Sequence, residues 1–219
     1  MTQIGVIIPV VRTDFIGGLL DCIRQNSVLP ASIIIIDNSR KDDNLRISDT
    51  GLRMQIHRPS SPLGVNPSWN YGIQRLCDTV DLISVLNDDL LLETKFFEKL
   101  IRLTSIHTEA SVLCPETVSR PGELQHVVPV EKSACIRMYK REGWAWSAPS
   151  EVLRKVPPIP SDLQIWFGDD WLWLHTVKRM RRPWMKMLGN KCYHYVSQTN
   201  SKINGVSIQA ERRLFEQHI

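Results

Sequence analysis

The chain has 219 residues, 42% of them hydrophobic and 23% charged, and a formal net charge of +4. That length fits a single globular domain, and the composition excludes disorder over most of the chain. The charge is too mild to indicate nucleic acid; it fits an anionic small ligand or contact with a membrane surface.

No stretch approaches the roughly 18 apolar residues of a membrane span. The start, Met1-Thr2-Gln3-Ile4-Gly5, lacks the charged and apolar regions of a signal peptide. The five scattered cysteines, Cys22, Cys77, Cys114, Cys135 and Cys192, fit reduced thiols of a cytoplasmic protein better than a disulfide framework. Without a C-x-x-C pair, Cys192 and His194 make a poor zinc site.

In chain order, Ile4 to Val11 is a near-continuous, largely β-branched run, expected of a strand buried on both faces. Thr13 to Asn26 places Phe15, Leu19, Leu20 and Ile23 at helical spacing, with Thr13 or Asp14 as the cap. Ser32 to Ile36 reads as a second buried strand ending in Asp37-Asn38-Ser39. A charged loop, 40–49, and a short strand over Leu52 to His57 follow. Asn66 to Cys77 reads as a helix with Trp69, Ile73 and Leu76 inward. A strand from Asp81 to Leu86, a helix over Lys95 to Leu103 and a strand at Val112 to Cys114 complete this half. Strands and helices alternating at this spacing predict an α/β domain with a mainly parallel twisted sheet flanked by helices.

The second half is less regular. Glu116 to Lys132 reads as a loop or hairpin, Ser133 to Tyr139 as a weak strand, and Val156-Pro157-Pro158-Ile159-Pro160 as an extended connector. Asp169 to Met180 has helical spacing, Trp184 to Leu188 and Lys191 to Tyr195 read as two short strands around Gly189-Asn190, and Ser207 to His218 as a polar helix.

Three strand ends carry polar groups: Pro9-Val10 with Arg12, Asp37-Asn38, and Asn87-Asp88-Asp89. In a parallel sheet these ends share one edge, where ligand clefts form. Adjacent carboxylates at such an end suit a hard cation, Mg2+ or Mn2+; the plainer alternative is a solvated Asn-Asp turn. Asp169-Asp170 opens a helix, so the pair either caps it or supplies a base. Trp144, Trp146, Trp166, Trp171 and Trp173 cluster within thirty residues; indole faces stack on the C–H faces of sugars, and in the other reading they are core. Trp144 and Trp146 are the stronger acceptor candidates, and at least one of Trp171 and Trp173 is expected in the core. Arg179, Arg181 and Arg182 either assist an anionic leaving group or form a solvated turn.

The series Ile7-Ile8-Pro9-Val10, Ile34-Ile35-Ile36-Asp37-Asn38-Ser39, Gly64-Val65-Asn66 with Asn70-Tyr71-Gly72-Ile73, and Leu86-Asn87-Asp88-Asp89 resembles the donor half of GT-A fold glycosyltransferases, family 2 and its relatives. Gly143-Trp144-Ala145-Trp146 and Gly168-Asp169-Asp170-Trp171 resemble the acceptor half, and Tyr193-His194-Tyr195 with Ser197 and Thr199 resembles the late metal-site histidine. The resemblance spans residues 4–199 and implies one glycosyltransferase domain: donor half 1–115, acceptor and catalytic half 116–199, then a terminal helix over 200–219.

It further implies a nucleotide-sugar donor, UDP-linked by expectation, and a carbohydrate or other hydroxyl acceptor. Pro9, Val10, Arg12, Asp37, Asn38, Gly64, Asn66, Asn70, Asn87 and Asp88 fall on the nucleotide. Asp89 and His194 fall on a Mn2+ or Mg2+ ion, Asp170 acts as base with Asp169 beside it, and Trp144, Trp146 and Trp166 line the acceptor and sugar region. Asn87 stands where the family's first metal-site acid is expected. A retaining transferase and a non-catalytic nucleotide- or glycan-binding module are the alternatives. The first strand lacks the Gly-rich basic loop of nucleotidyltransferases and the G-x-G-x-x-G of dehydrogenases.

Overall fold

The computed structural model describes residues 2–39, 45, 47, 51–195 and 207–219. Most of the 40–49 loop, together with Ser197 and Thr199, lies outside the described residues. The strands are β1 (Ile4–Val10), β2 (Ser32–Asp37), β3 (Met54–His57), β4 (Leu82–Leu86), β5 (Leu90–Leu92), β6 (Val112–Val118), β7 (Ala134–Arg137), β8 (Ala145–Pro149) and β9 (Trp184–His194). The helices are α1 (Ile16–Arg24), α2 (Val65–Leu76), α3 (Phe96–Ile106), α4 (Ser150–Leu153), α5 (Gly168–Trp173) and α6 (Ile208–His218). One sheet runs β3-β2-β1-β4-β8-β6-β9-β5, with β7 paired to β9.

Every residue of β1 and β4 is buried. Strand alternation divides their side chains between two cores. Ile4, Val6, Ile8, Val10, Leu82 and Leu86 pack with Leu19 and Leu20 of α1 and Phe96, Phe97 and Leu100 of α3. Ile7, Ile83 and Val85 pack on the other face with Trp69 and Leu76 of α2 and Trp171 and Leu172 of α5. A strand covered on both faces is apolar nearly throughout, which is why these runs show no polar alternation; the one hydroxyl in them, of Ser84, is bonded to Ser147 on the neighbouring strand.

β1, β2 and β3 step to one side in parallel, and after α2 the chain returns to place β4 on the other flank of β1. The carboxyl ends of β1 and β4 therefore flank the point where strand order reverses, the position at which open α/β sheets form a crevice.

The sheet is mainly parallel with antiparallel members: β8 runs antiparallel to both β4 and β6, and β5 and β7 run antiparallel to β9. The two expected short strands around Gly189-Asn190 are one strand. Gly189 adopts φ +77°, Asn190 turns its amide onto the carbonyl of Phe96, and the pairing of β6 with β9 absorbs the irregularity as a register shift between Pro115 and Glu116. The residue before α1 is Phe15, without a side-chain cap, so neither Thr13 nor Asp14 caps that helix.

One fully buried ion pair joins the last elements. Lys99 of α3 donates to Glu93 after β5 and to the carbonyl of Gly189 in β9, and both side chains are inaccessible to solvent. Removing one partner strands a buried charge, whereas replacing both does not. Lys99→Met should therefore cost about 3–5 kcal/mol of stability, and Lys99→Met with Glu93→Leu should recover most of it, as measured by urea denaturation.

Candidate active-site cleft

A cleft of about 290 Å³ opens at the carboxyl ends of the central strands, lined in part by Trp69, Asn87, Asp89, Arg141, Trp144, Trp166, Asp169 and His194. Two strand pairings bring its first wall together. Leu86 pairs with Ala145, and the next amide, of Asn87, donates to the carbonyl of Trp144 at 2.9 Å. Leu90 pairs with His194, and the Tyr195 amide donates to the Asp89 carbonyl at 3.1 Å.

Asp89 is 2% exposed. Its Oδ1 lies 3.1 Å from His194 Nε2, yet it accepts no hydrogen bond among the described residues. With Nε2 unprotonated, two lone pairs face each other, an arrangement relieved by a cation. The Trp144 indole stacks on the imidazole at 5.5 Å and 12°, fixing its plane. No group of three or more His, Cys, Asp or Glu side chains converges among the described residues, so a cation held by these two donors would need its other ligands from outside the chain.

Asp88 points the other way. Its Oδ2 accepts the amides of Val11 and Arg12 at 2.8 and 2.9 Å, tying the end of β1 to the end of β4. Burial pushes its carboxyl up to about 6, opposed by those two amides and assisted by the neighbouring Asp89 charge.

Pro9 and Val10 are buried at the end of β1, with Val10 opposite Asp37. Asp37 accepts the Ser39 amide and hydroxyl and lies 3.4 Å from the Arg58 guanidinium. Arg12 pairs with Asp14 and lies over the Phe15 ring.

Three asparagines expected on the nucleotide have their side chains engaged with protein. Asn38 bridges Ser68 and the Leu63 amide, and Asn70 makes a two-way pair with Ile159 in the proline connector. Asn66, fully buried, donates to the carbonyls of Leu163 and Trp166. Gly64, at φ +85°, immediately precedes α2; a side chain there would meet the Gln164 carbonyl at 2.7 Å.

The opposite wall comprises residues 163–169. Asp169 lines the cleft, while Asp170 is held 2.5 Å from Arg141. Burial raises both carboxyls; for Asp170 the Asp169 charge adds to the rise, and Arg141 lowers both. Desolvation thus outweighs the helix-start amides expected to hold this pair ionised.

Trp144 and Trp166 line the cleft. Trp146, expected beside them, is core: it sits opposite Val85 in the sheet and meets Trp69 edge-on at 5.4 Å. Trp171 is core as well, donating to the Pro157 carbonyl. Arg182 is spent on the carbonyls of Thr108, Glu109 and Ala110 and on Glu151, away from the cleft. Two contributors escaped sequence reasoning. Arg141 sits in a charged run, Lys140-Arg141-Glu142, that reads as solvated surface. Glu211 sits in a polar helix and meets the cleft wall from 45 residues away or more.

The sequence matches no family model. It matches no curated protein. The fold does match solved structures. TarS of S. aureus superposes with a TM-score of 0.67 at 15% identity, over 89% of this chain and 37% of that one. A crystal structure of S. aureus TarS 1-349 in complex with UDP gives 0.64 at 14%, over 87% and 60%. GalNAc-T7, crystallised with UDP, GalNAc and Mn2+, gives 0.69 at 12%, over 89% and 43%. The chain thus spans less than two thirds of each of these proteins. At these identities the likeness establishes a shared architecture, the GT-A fold.

Gly168 packs tightly against α2: a Cβ there would lie 2.1 Å from Asn66 Oδ1 and 3.0 Å from the Trp69 ring. Gly168→Ala should cost about 1–3 kcal/mol through overpacking, read as a lower urea midpoint with an unchanged slope.

Proposed function

We propose that the protein is a glycosyltransferase that moves a sugar from a nucleotide-sugar donor, UDP-linked, to an acceptor hydroxyl with inversion at the anomeric carbon. The observation that carries the reading is the unpartnered Asp89 Oδ1 facing His194 Nε2 in the same cleft as Asp169. The GT-A neighbours crystallised with UDP, and in GalNAc-T7 with Mn2+, support it.

Asp89 and His194 would hold Mn2+ or Mg2+, which when bound neutralises charge on a diphosphate leaving group. Val10, Arg12 and Asp37 lie at the strand ends and would receive the nucleoside, with Asn87 lining the cleft beyond them. Asn38, Asn66, Asn70 and Asp88 would shape this region through the backbone groups they hold, and Gly64 through its turn.

The base is placed at Asp169 rather than Asp170, because Asp169 lines the cleft and Asp170 anchors Arg141. The acceptor oxygen attacks the anomeric carbon, the bond to the diphosphate oxygen breaks with its electron pair, and the acceptor proton passes to Asp169. A carboxyl raised by burial is a stronger base than an exposed one. Trp144 and Trp166 would flank the sugars. Residues 1–115 form the donor half and 116–199 the acceptor half of this single domain. The five free thiols favour a reducing, cytoplasmic setting, and no helix among the described residues is long and apolar enough to cross a membrane.

Release of UDP from a panel of UDP-sugars, with and without Mn2+, tests the reading. Asp169→Asn should lower transfer by roughly 10²–10⁴-fold with donor affinity unchanged, and Asp170→Asn should have the smaller effect. A product that keeps the donor's anomeric configuration would replace inversion with the retaining alternative. No turnover with any nucleotide sugar would leave the non-catalytic binding module.

A further inference from the structure

The segment 163–167, which supplies Ile165, Trp166 and Phe167 to the cleft, has no regular secondary structure. Its peptide groups therefore need partners from elsewhere in the fold. The carbonyls of Leu163 and Trp166 accept from the Asn66 side chain, and that of Gln164 accepts from the Asn66 amide at 3.0 Å.

The amides face the other way. Those of Gln164, Ile165 and Trp166 all donate to the carboxylate of Glu211, at 2.9 Å, 3.1 and 3.2 Å, and 2.8 Å. Glu211 is 2% exposed although it belongs to a helix in which only Leu214 and Phe215 besides it are not exposed. Successive amides converging on one anion form a nest, and here the anion is the protein's own. The rest of α6 follows the same loop: Phe215 stacks on Phe167 at 5.4 Å, and His218 lies 3.0 Å from Asp162.

We infer that Glu211 is a positioning residue for the acceptor wall: its carboxylate sets the orientation of the Gln164–Trp166 peptides and with it the placement of Trp166 and of the first turn of α5, which carries Asp169. Its effect on catalysis rests on the transferase reading; its effect on the loop rests on geometry alone. Glutamine at 211 would keep the size of the side chain but offer one acceptor oxygen where two now serve, and would turn an N–H donor toward the amide donors. Phe215→Ala loosens α6 without touching the nest and controls for a general structural role.

The test uses the full chain and two readouts. In Glu211→Gln, hydrogen exchange of the Gln164, Ile165 and Trp166 amides should speed up at least tenfold, with β1 and β4 amides unchanged within twofold. Phe215→Ala should not reproduce this selectivity. In the same variant the acceptor KM should rise tenfold or more, with donor KM unchanged within twofold. Should Glu211→Gln fail to fold, Glu211→Asp, which keeps the charge but retracts it by one methylene, should show both changes.

Amides as protected in the variant as in wild type would overturn the inference, as would donor and acceptor KM rising together. If the wild-type chain transfers sugar from no donor, the functional reading fails, and the exchange measurement alone decides the positioning role.

Discussion

Two carboxylates in adjacent positions, both buried, repel each other and lose hydration, so each needs a separate reason to be tolerated. Asp88 has its reason within the fold: the Val11 and Arg12 amides satisfy it and close the gap between β1 and β4. Asp89 has no such amide donor on Oδ1 and faces the His194 Nε2 at 3.1 Å instead. The strand end thus divides a carboxylate held by backbone amides from one without them. The remaining architecture places partners around that division: β5 on β9 brings His194, β8 on β4 brings Trp144, and the crevice at the reversal of strand order leaves room between them.

The parallel half of the sheet was legible in the sequence because burial on both faces demands largely apolar runs, and β1, β2 and β4 are such runs, broken within β4 only by Ser84. Their polar ends were legible for the same reason: Asp37 and Asn87-Asp88-Asp89 interrupt a pattern that only the end of a strand allows. In the antiparallel half β7 and β9 were legible, but β5 and β8 were not. β5 is three residues long and β8 is five, too short for alternation to emerge. Gly189-Asn190 carries turn chemistry inside a continuous strand, because a buried asparagine with a backbone partner replaces the missing ladder contacts.

Within the site, residue type alone did not separate groups that meet a ligand from groups that hold the walls. Asn38, Asn66 and Asn70 read as ligand contacts, but irregular loops need side-chain partners for their peptides, and asparagine, with both donor and acceptor, supplies them. Trp144 and Trp146 differ by one strand alternation, which sends Trp146 into the core. Asp169 and Asp170 differ by one step along a helix, which gives one to the cleft and the other to Arg141. Glu211 carried no local signal, since its partners are peptide groups distant in sequence.

The central claim is that Asp89 and His194 form an incomplete cation site that a nucleoside diphosphate completes. Calorimetric titration of UDP into the wild-type chain, with and without Mn2+, addresses it directly. Binding should require Mn2+ and should be lost in Asp89→Ala while the fold persists. Equal affinity for UDP without the metal, or full metal-dependent binding by Asp89→Ala and His194→Ala, would contradict it.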